Sequence, residues 1–210
     1  MIKAVLFDAG GVLLDLNLDA CRQAFKTCLG YDRIDELLDP CHQKGIYGDM
    51  EEGKITAEEF VAAVLSESRE GSTPEMVDHC MAALLQGIQP YKAEYVRSLA
   101  KRGYALYLLS NNNEISWTHF QSIFRNAGIP IDETFRKSFL SCRIGALKPS
   151  PVIFRHVLDQ LGLKPEEILF IDDSSSNAAA AAELGFRSLH YIIGTDLTAL
   201  VDSALSTEGV

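Results

Sequence analysis

Residues 5–13 read VLFDAGGVL. With Ala4 before them, Val5, Leu6 and Phe7 make an unbroken apolar run, the pattern of a strand covered on both faces, as in a parallel sheet. The run stops at Asp8, and Gly10 and Gly11 follow: a carboxylate at a strand's carboxyl end, then a turn. A strand of this kind belongs inside an α/β sheet, and the chain beyond residue 91 has the matching alternation. Helical spacing over 92–101 stops at Gly103 and is followed by an apolar strand over 104–109. A helix over 115–127 ends at Gly128, a short strand follows over 137–141, and a loop carries Lys148-Pro149. Ser150 as N-cap and Pro151 at the first helical position start a helix to Leu161. A strand over 168–171, an alanine-rich helix over 176–184 closed by Gly185, and a last strand over 188–193 complete the series. The fold class is therefore α/β, a doubly wound, Rossmann-like parallel sheet with helices on both faces.

Residues 16–90 differ. They show helical patterns over 18–29, 32–38, 57–67 after the capping box Thr56-x-x-Glu59, and 74–86 after Thr73-Pro74, with no strand among them. The expected organisation is a core of residues 1–15 and 91–210, with an all-helical insertion of residues 16–90 after the first strand.

Composition narrows the function. A chain of 210 residues, 47% hydrophobic, can bury one sizeable core with room for an elaboration. A net charge of −10, with no basic run, argues against nucleic acid or an anionic membrane surface as partner. No apolar stretch is long enough to span a membrane and no leader pattern is visible, so a cytoplasmic protein is expected. The five cysteines (Cys21, Cys28, Cys41, Cys80, Cys142) are scattered, as buried free thiols of a reducing compartment would be, and the dispersed histidines suggest no zinc site. No oligomeric state follows from the sequence.

Ligands of doubly wound sheets bind beyond the carboxyl ends of the strands. The groups at those ends are Asp8, then Ser110-Asn111-Asn112-Asn113, then Lys148 in the loop before a helix, then Asp172-Asp173. Taken singly, these have plain alternatives: a turn, a helix cap, a solvated lysine. Together they place three carboxylates on one edge, where mutual repulsion calls for a cation, and open oxygen ligands suit Mg²⁺. The lysine, the serine hydroxyl and loop N–H groups suit phosphoryl oxygens.

The order Asp8-x-Gly10-Gly11, Ser110-Asn111, Lys148-Pro149 and Asp172-Asp173-Ser174-x-x-Asn177 resembles the four motifs of the haloacid dehalogenase superfamily. The resemblance covers essentially the whole chain, and the helical insertion is similar to that superfamily's C1 cap. It implies that Asp8 is the nucleophile of an aspartyl-phosphate mechanism, Ser110 and Asn111 bind phosphate, and Lys148 stabilises the transferring group. Asp8, the Gly10 carbonyl and Asp173 would hold Mg²⁺, with Asp172 as ligand or neighbour. The implied partner is a small phosphorylated metabolite.

Most phosphatases of the superfamily have an aspartate two residues after the nucleophile as general acid; here that position is Gly10. Asp15, seven residues beyond Asp8, is not assigned as its replacement. Three readings follow: a phosphatase for substrates with undemanding leaving groups, similar to sugar-1-phosphate phosphatases such as those acting on α-glucose 1-phosphate; a haloacid dehalogenase, which the Asp172-Asp173 pair disfavours; and a non-catalytic phosphate- or partner-binding protein. Substrate contacts from the cap are expected in residues 42–52, whereas Tyr47 and Trp117 read as core aromatics.

Overall fold

The computed structural model describes residues 1–39 and 42–206. In chain order the elements are β1 (Ala4–Phe7), β2 (Leu14–Leu16), α1 (Leu18–Ala24, continued by a π-turn over Phe25–Leu29), α2 (Ile34–Leu37), α3 (Gly45–Glu51), α4 (Ala57–Ser66), α5 (Pro74–Ala82) and β3 (Leu85–Ile88). They continue with α6 (Pro90–Lys101), β4 (Ala105–Ser110), α7 (Glu114–Asn126), α8 (Ile131–Thr134), β5 (Lys137–Leu140), α9 (Ser141–Ile144), α10 (Pro151–Leu161), β6 (Ile168–Asp172), α11 (Ser175–Glu183), β7 (Arg187–His190) and α12 (Leu197–Ser206).

The main sheet runs β5-β4-β1-β6-β7, and every pairing in it is parallel. β1 is its centre, and its apolar run has a simple cause. Val5 and Phe7 join one buried cluster and Ala4 and Leu6 the other, so alternate residues serve the two covered faces. β4 and β6 divide in the same way, Leu108 and Ile171 on one side and Leu109 and Phe170 on the other.

Two sequence expectations need correction. Residues 16–90 are not free of strands: β2 and β3 pair antiparallel, a two-stranded ribbon where the chain leaves the sheet for the helices and returns. The ribbon is pinned by Asp15, which accepts from Gln89 at 2.8 Å and from the buried Lys92 at 3.1 Å. The last strand ends at His190 rather than residue 193; Ile192 and Ile193 lie exposed in the turn before α12, which Asp196 caps by accepting from the Thr198 and Ala199 N–H groups.

The helices between the ribbon strands share one apolar cluster with a face of the main sheet: Phe25, Tyr47, Phe60 and Met81 are continuous with Val5, Phe7 and Leu108. Trp117 is buried against Phe120, as expected of a core aromatic. Cys21 and Cys80 are buried free thiols, Cys28 and Cys142 are partly exposed, and Cys41 lies outside the described residues. Among the described residues, no helix is long and apolar enough to cross a membrane.

Candidate active site

Register brings the site together. Phe7 is level with Leu108 of β4 and Ile171 of β6, so the next residues along these three adjacent strands, Asp8, Leu109-Ser110 and Asp172, share one edge. The Asp8 N–H extends the ladder by donating to the Ile171 carbonyl at 2.8 Å. Beyond this edge is a cleft of about 640 Å³, counting its open mouth. Asp8, Gly10, Ser110, Asn111, Lys148 and Asp173 line it from the sheet side, and Gln43, Tyr47 and Glu51 from the helical insertion.

Lys148 is the centre of charge. It is 1% exposed, and its Nζ lies 3.0 Å from Asp8 Oδ2, 2.6 Å from Asp172 Oδ2 and 3.0 Å from the Leu109 carbonyl oxygen. Burial alone would lower the ammonium's pKa; the Asp172 and Asp8 carboxylates outweigh it and hold the group above its usual value. Asn111 fixes the lysine's position, its side chain accepting from the Lys148 N–H at 2.8 Å and donating to the Lys148 carbonyl at 3.0 Å. The Asn111 amide thus spends its oxygen and one of its two N–H donors on Lys148, which leaves one side-chain N–H and the backbone for phosphate.

The two adjacent aspartates have different environments. Asp172 is fully buried, with Oδ2 on Lys148 and Oδ1 accepting from the Ser174 N–H and the Asn177 amide, at 2.8 and 3.0 Å. Asp173 instead turns its carboxylate to the cleft. A Cβ on Gly11 would lie 2.1 Å from Asp173 Oδ2, and Gly11 has φ +76, so glycine is required there twice over.

Asp8, Asp172 and Asp173 can bring one carboxylate oxygen each within 4.8 Å of one another. Burial, with the neighbouring carboxylates adding and Lys148 opposing, holds Asp8 well above the usual carboxylate range. Burial and the Asp172 charge push Asp173 up to about 6. One lysine does not balance three crowded carboxylates, and a divalent cation would. The cradle fits one: the Gly11 backbone leaves room for Asp173, and the buried Asn177 Oδ1 has no hydrogen-bond partner. Gly10 also lines the cleft, with its carbonyl unused by any hydrogen bond among the described residues.

Sequence reasoning placed Asp8, Ser110, Lys148 and the Asp172-Asp173 pair together, and they are together. Asp15 is engaged at the ribbon and does not line the cleft. Tyr47 is fully buried against Phe60, yet it also borders the cleft, its hydroxyl beside Ser116 and Asn113. Glu51 was not singled out. It is 8% exposed, and among the described residues no hydrogen bond or ion pair reaches its carboxyl. Burial, then the Asp8 charge, push it up to about 8 against the pull of Lys148. The only sequence signal for it was its place within 42–52, since an acidic pair before Gly53 looks like any solvated helix end.

These groups at the strand ends of a parallel sheet make a site suited to a divalent cation and the oxygens of a phosphoryl group. Residues 2–185 match the haloacid dehalogenase-like hydrolase family, and the chain belongs to it. It is 35% identical over 209 residues to D-ribitol-5-phosphate phosphatase of Bacteroides thetaiotaomicron, covering 97% of this chain and 100% of that protein. Among solved structures it is similar to a HAD family enzyme of the same organism in complex with magnesium and inorganic phosphate (TM-score 0.87, 32% identity, 95% and 99% of the two chains). A predicted HAD-like family hydrolase from Porphyromonas gingivalis is also similar (TM-score 0.88, 34% identity, 98% of each chain).

Proposed function

We propose that this hydrolase is a Mg²⁺-dependent phosphatase acting on a small phosphorylated metabolite, of the sugar or polyol phosphate class, through an aspartyl-phosphate on Asp8. The observation that carries the reading is the 3.0 Å contact between Lys148 Nζ and Asp8 Oδ2 inside a cleft that also receives Asp173. The similarity to a ribitol-phosphate phosphatase, and to an enzyme solved with magnesium and phosphate, supports it. Mg²⁺ held by Asp8, Asp173 and the Gly10 carbonyl supplies charge neutralisation at the phosphoryl oxygens.

Asp8 attacks phosphorus with one carboxylate oxygen while Lys148 offsets the charge that develops on the phosphoryl group. Ser110, 2% exposed at the end of β4, lines the cleft with a hydroxyl whose one contact is a long donation to the Asn111 carbonyl at 3.4 Å, which leaves it able to bind the same group. Asp172 keeps Lys148 in place, a positioning role that leaves direct ligation to Asp173. The helices of residues 16–90 serve as the cap over the core of residues 1–15 and 91–210, with Gln43, Tyr47 and Glu51 at the leaving-group side. Dehalogenation needs no cation, so a cluster of three carboxylates that calls for one disfavours it. The thiols of Cys21, Cys28, Cys80 and Cys142 support a reducing, cytoplasmic setting.

The test is turnover of p-nitrophenyl phosphate and of polyol phosphates with and without Mg²⁺, in the parent and in Asp8→Asn. The expected result is metal-dependent release of phosphate that Asp8→Asn abolishes. Equal rates in parent and variant would overturn the reading.

A further inference from the structure

A phosphatase without a side-chain acid at position 10 needs another proton source if its leaving group is a basic alkoxide. The glycine is not imposed by the backbone: unlike Gly11, Gly10 has no φ in the left-handed region, and a Cβ there would meet only the Leu16 side chain, at 3.1 to 3.8 Å. The usual acid is therefore dispensed with, not excluded.

We propose that Glu51, at the end of α3, is the general acid and base of this site. The inference rests on the phosphatase reading above. As Asp8 Oδ attacks phosphorus and the bond to the leaving oxygen breaks, the Glu51 carboxyl gives its proton to that oxygen. A water then attacks the aspartyl-phosphate and passes its proton to the Glu51 carboxylate. Phosphate departs, Asp8 regains its carboxylate, and Glu51 is again protonated.

Three observations carry this. The first is elimination among the described ionisable groups that line the cleft: Asp8, Tyr47, Glu51, Lys148 and Asp173. Asp8 is the nucleophile, Lys148 is committed to two carboxylates, and Asp173 faces the metal cradle. Tyr47 is a phenol that burial, with the Glu51 charge adding, holds well above its usual range. Among the described residues, Cys142 of α9 is a further titratable group facing Glu51, and it does not border this cleft.

The second is placement. Phosphate would sit at the strand ends, so the leaving group points to the insertion, where Glu51 is. The residue is held there by its main chain: Ser141 Oγ donates to the Glu51 carbonyl at 2.5 Å and accepts from the Asn112 N–H at 2.9 Å, tying α3 to the loop after Ser110. Gly53, two residues on, packs so closely that a Cβ would lie 2.3 Å from the Cys142 carbonyl oxygen.

The third is the state of the carboxyl. With no hydrogen-bond or ion-pair partner among the described residues, a carboxyl this buried is destabilised as the anion, which favours the protonated form an acid needs. An enzyme with this acid is not confined to activated leaving groups. It suits a primary alkyl phosphate.

The test is a leaving-group series from p-nitrophenyl phosphate to primary alkyl phosphates under saturating Mg²⁺, read as kcat/KM, which reports the step that forms the aspartyl-phosphate. The parent should show a shallow dependence on leaving-group basicity. Glu51→Gln should make it steep, losing about 10²- to 10⁴-fold on alkyl esters and roughly tenfold or less on the aryl ester. Adding Gly10→Asp to Glu51→Gln should recover much of the alkyl activity. Aryl turnover by the parent, absent in Asp8→Asn, establishes the phosphatase reading independently of Glu51. With that turnover present, an equal fall for every ester, or no fall, overturns the role of Glu51, and a steep parent dependence overturns it without any variant.

Discussion

Lys148 and Glu51 are both buried ionisable residues at the cleft, and their substitutions should move stability in opposite directions. Lys148 neutralises Asp8 and Asp172 where little water reaches them. An exposed lysine replaced by alanine would lose activity alone; Lys148→Ala should also destabilise the fold, by about 3–5 kcal/mol, because two buried carboxylates lose their cation. Chemical denaturation of metal-free protein checks this, and an unchanged midpoint would show that the pair relaxes into water. Glu51 is the reverse case. Its folded pKa of about 8 stands above the ordinary value of 4.5, so between these values the unfolded chain releases a proton that the folded chain keeps. Stability from this group is intact below about 4.5 and falls as pH rises toward about 8, where the penalty levels off. Glu51→Gln should therefore gain stability over the metal-free parent as pH rises through that window, reaching a few kcal/mol. A difference that does not change with pH would mean that the carboxyl is solvated. A variant both steadier and slower is the signature of a residue kept for chemistry.

The elements that reach the cleft differ in how legible they are. β1, β4 and β6 announce themselves, because strands covered on both faces are apolar at every position and the first polar residue marks the end where ligands bind. The ribbon does not: β2 has three residues, β3 contains Gly87, and neither has room for a period of two. α3 is hidden by its own glycines. Gly48 is there because a Cβ would lie 2.5 Å from the Gln43 carbonyl oxygen, a tertiary demand that lowers helix propensity. α12 has a readable pattern, Leu197, Leu200, Val201, Ala204 and Leu205, but it lies after the last strand, outside the β–α alternation that marks the other helices. The site residues on strand ends were legible for the same reason as the strands; Glu51 was not, since its role depends on how α3 docks. That docking can be tested with two glycines. Gly53 and Gly71 both have positive φ, but only Gly53 is packed, against Cys142, while nothing lies within 4 Å of a Cβ at Gly71. Alanine at either should lose about 1–2 kcal/mol to backbone strain. Gly53→Ala should lose more, and should lower alkyl phosphate turnover more than aryl, because it moves Glu51. Thermal melts and the same ester series decide it; equal behaviour of the two variants would show that the α3–α9 contact does not position the site.

At the scale of the whole molecule, packing and charge are linked. The apolar cluster runs unbroken from β1 and β4 through α1, α3 and α5, so the insertion and the sheet face it covers have no separate cores on that side. The chain as a whole carries −10, and three of its carboxylates, Asp8, Asp172 and Asp173, crowd together at the junction of the two, offset by one lysine. A cation bound there should stabilise both together. Ligand that binds only the folded state adds about 2.7 kcal/mol at a hundred times its Kd, and a protein of this size gains about 2–4 °C per kcal/mol. Calorimetry on chelator-treated protein should therefore show a single transition that moves up by about 5–10 °C with saturating Mg²⁺. Asp173→Asn should retain the single transition and lose most of the shift, since Asp173 is the carboxylate turned to the cleft, while sodium at matched ionic strength should reproduce little of it. Two transitions, with only one responding to Mg²⁺, would mean that the insertion and the sheet unfold separately despite their shared apolar cluster. A shift unchanged in Asp173→Asn would place the cation elsewhere than between Asp8 and Asp173.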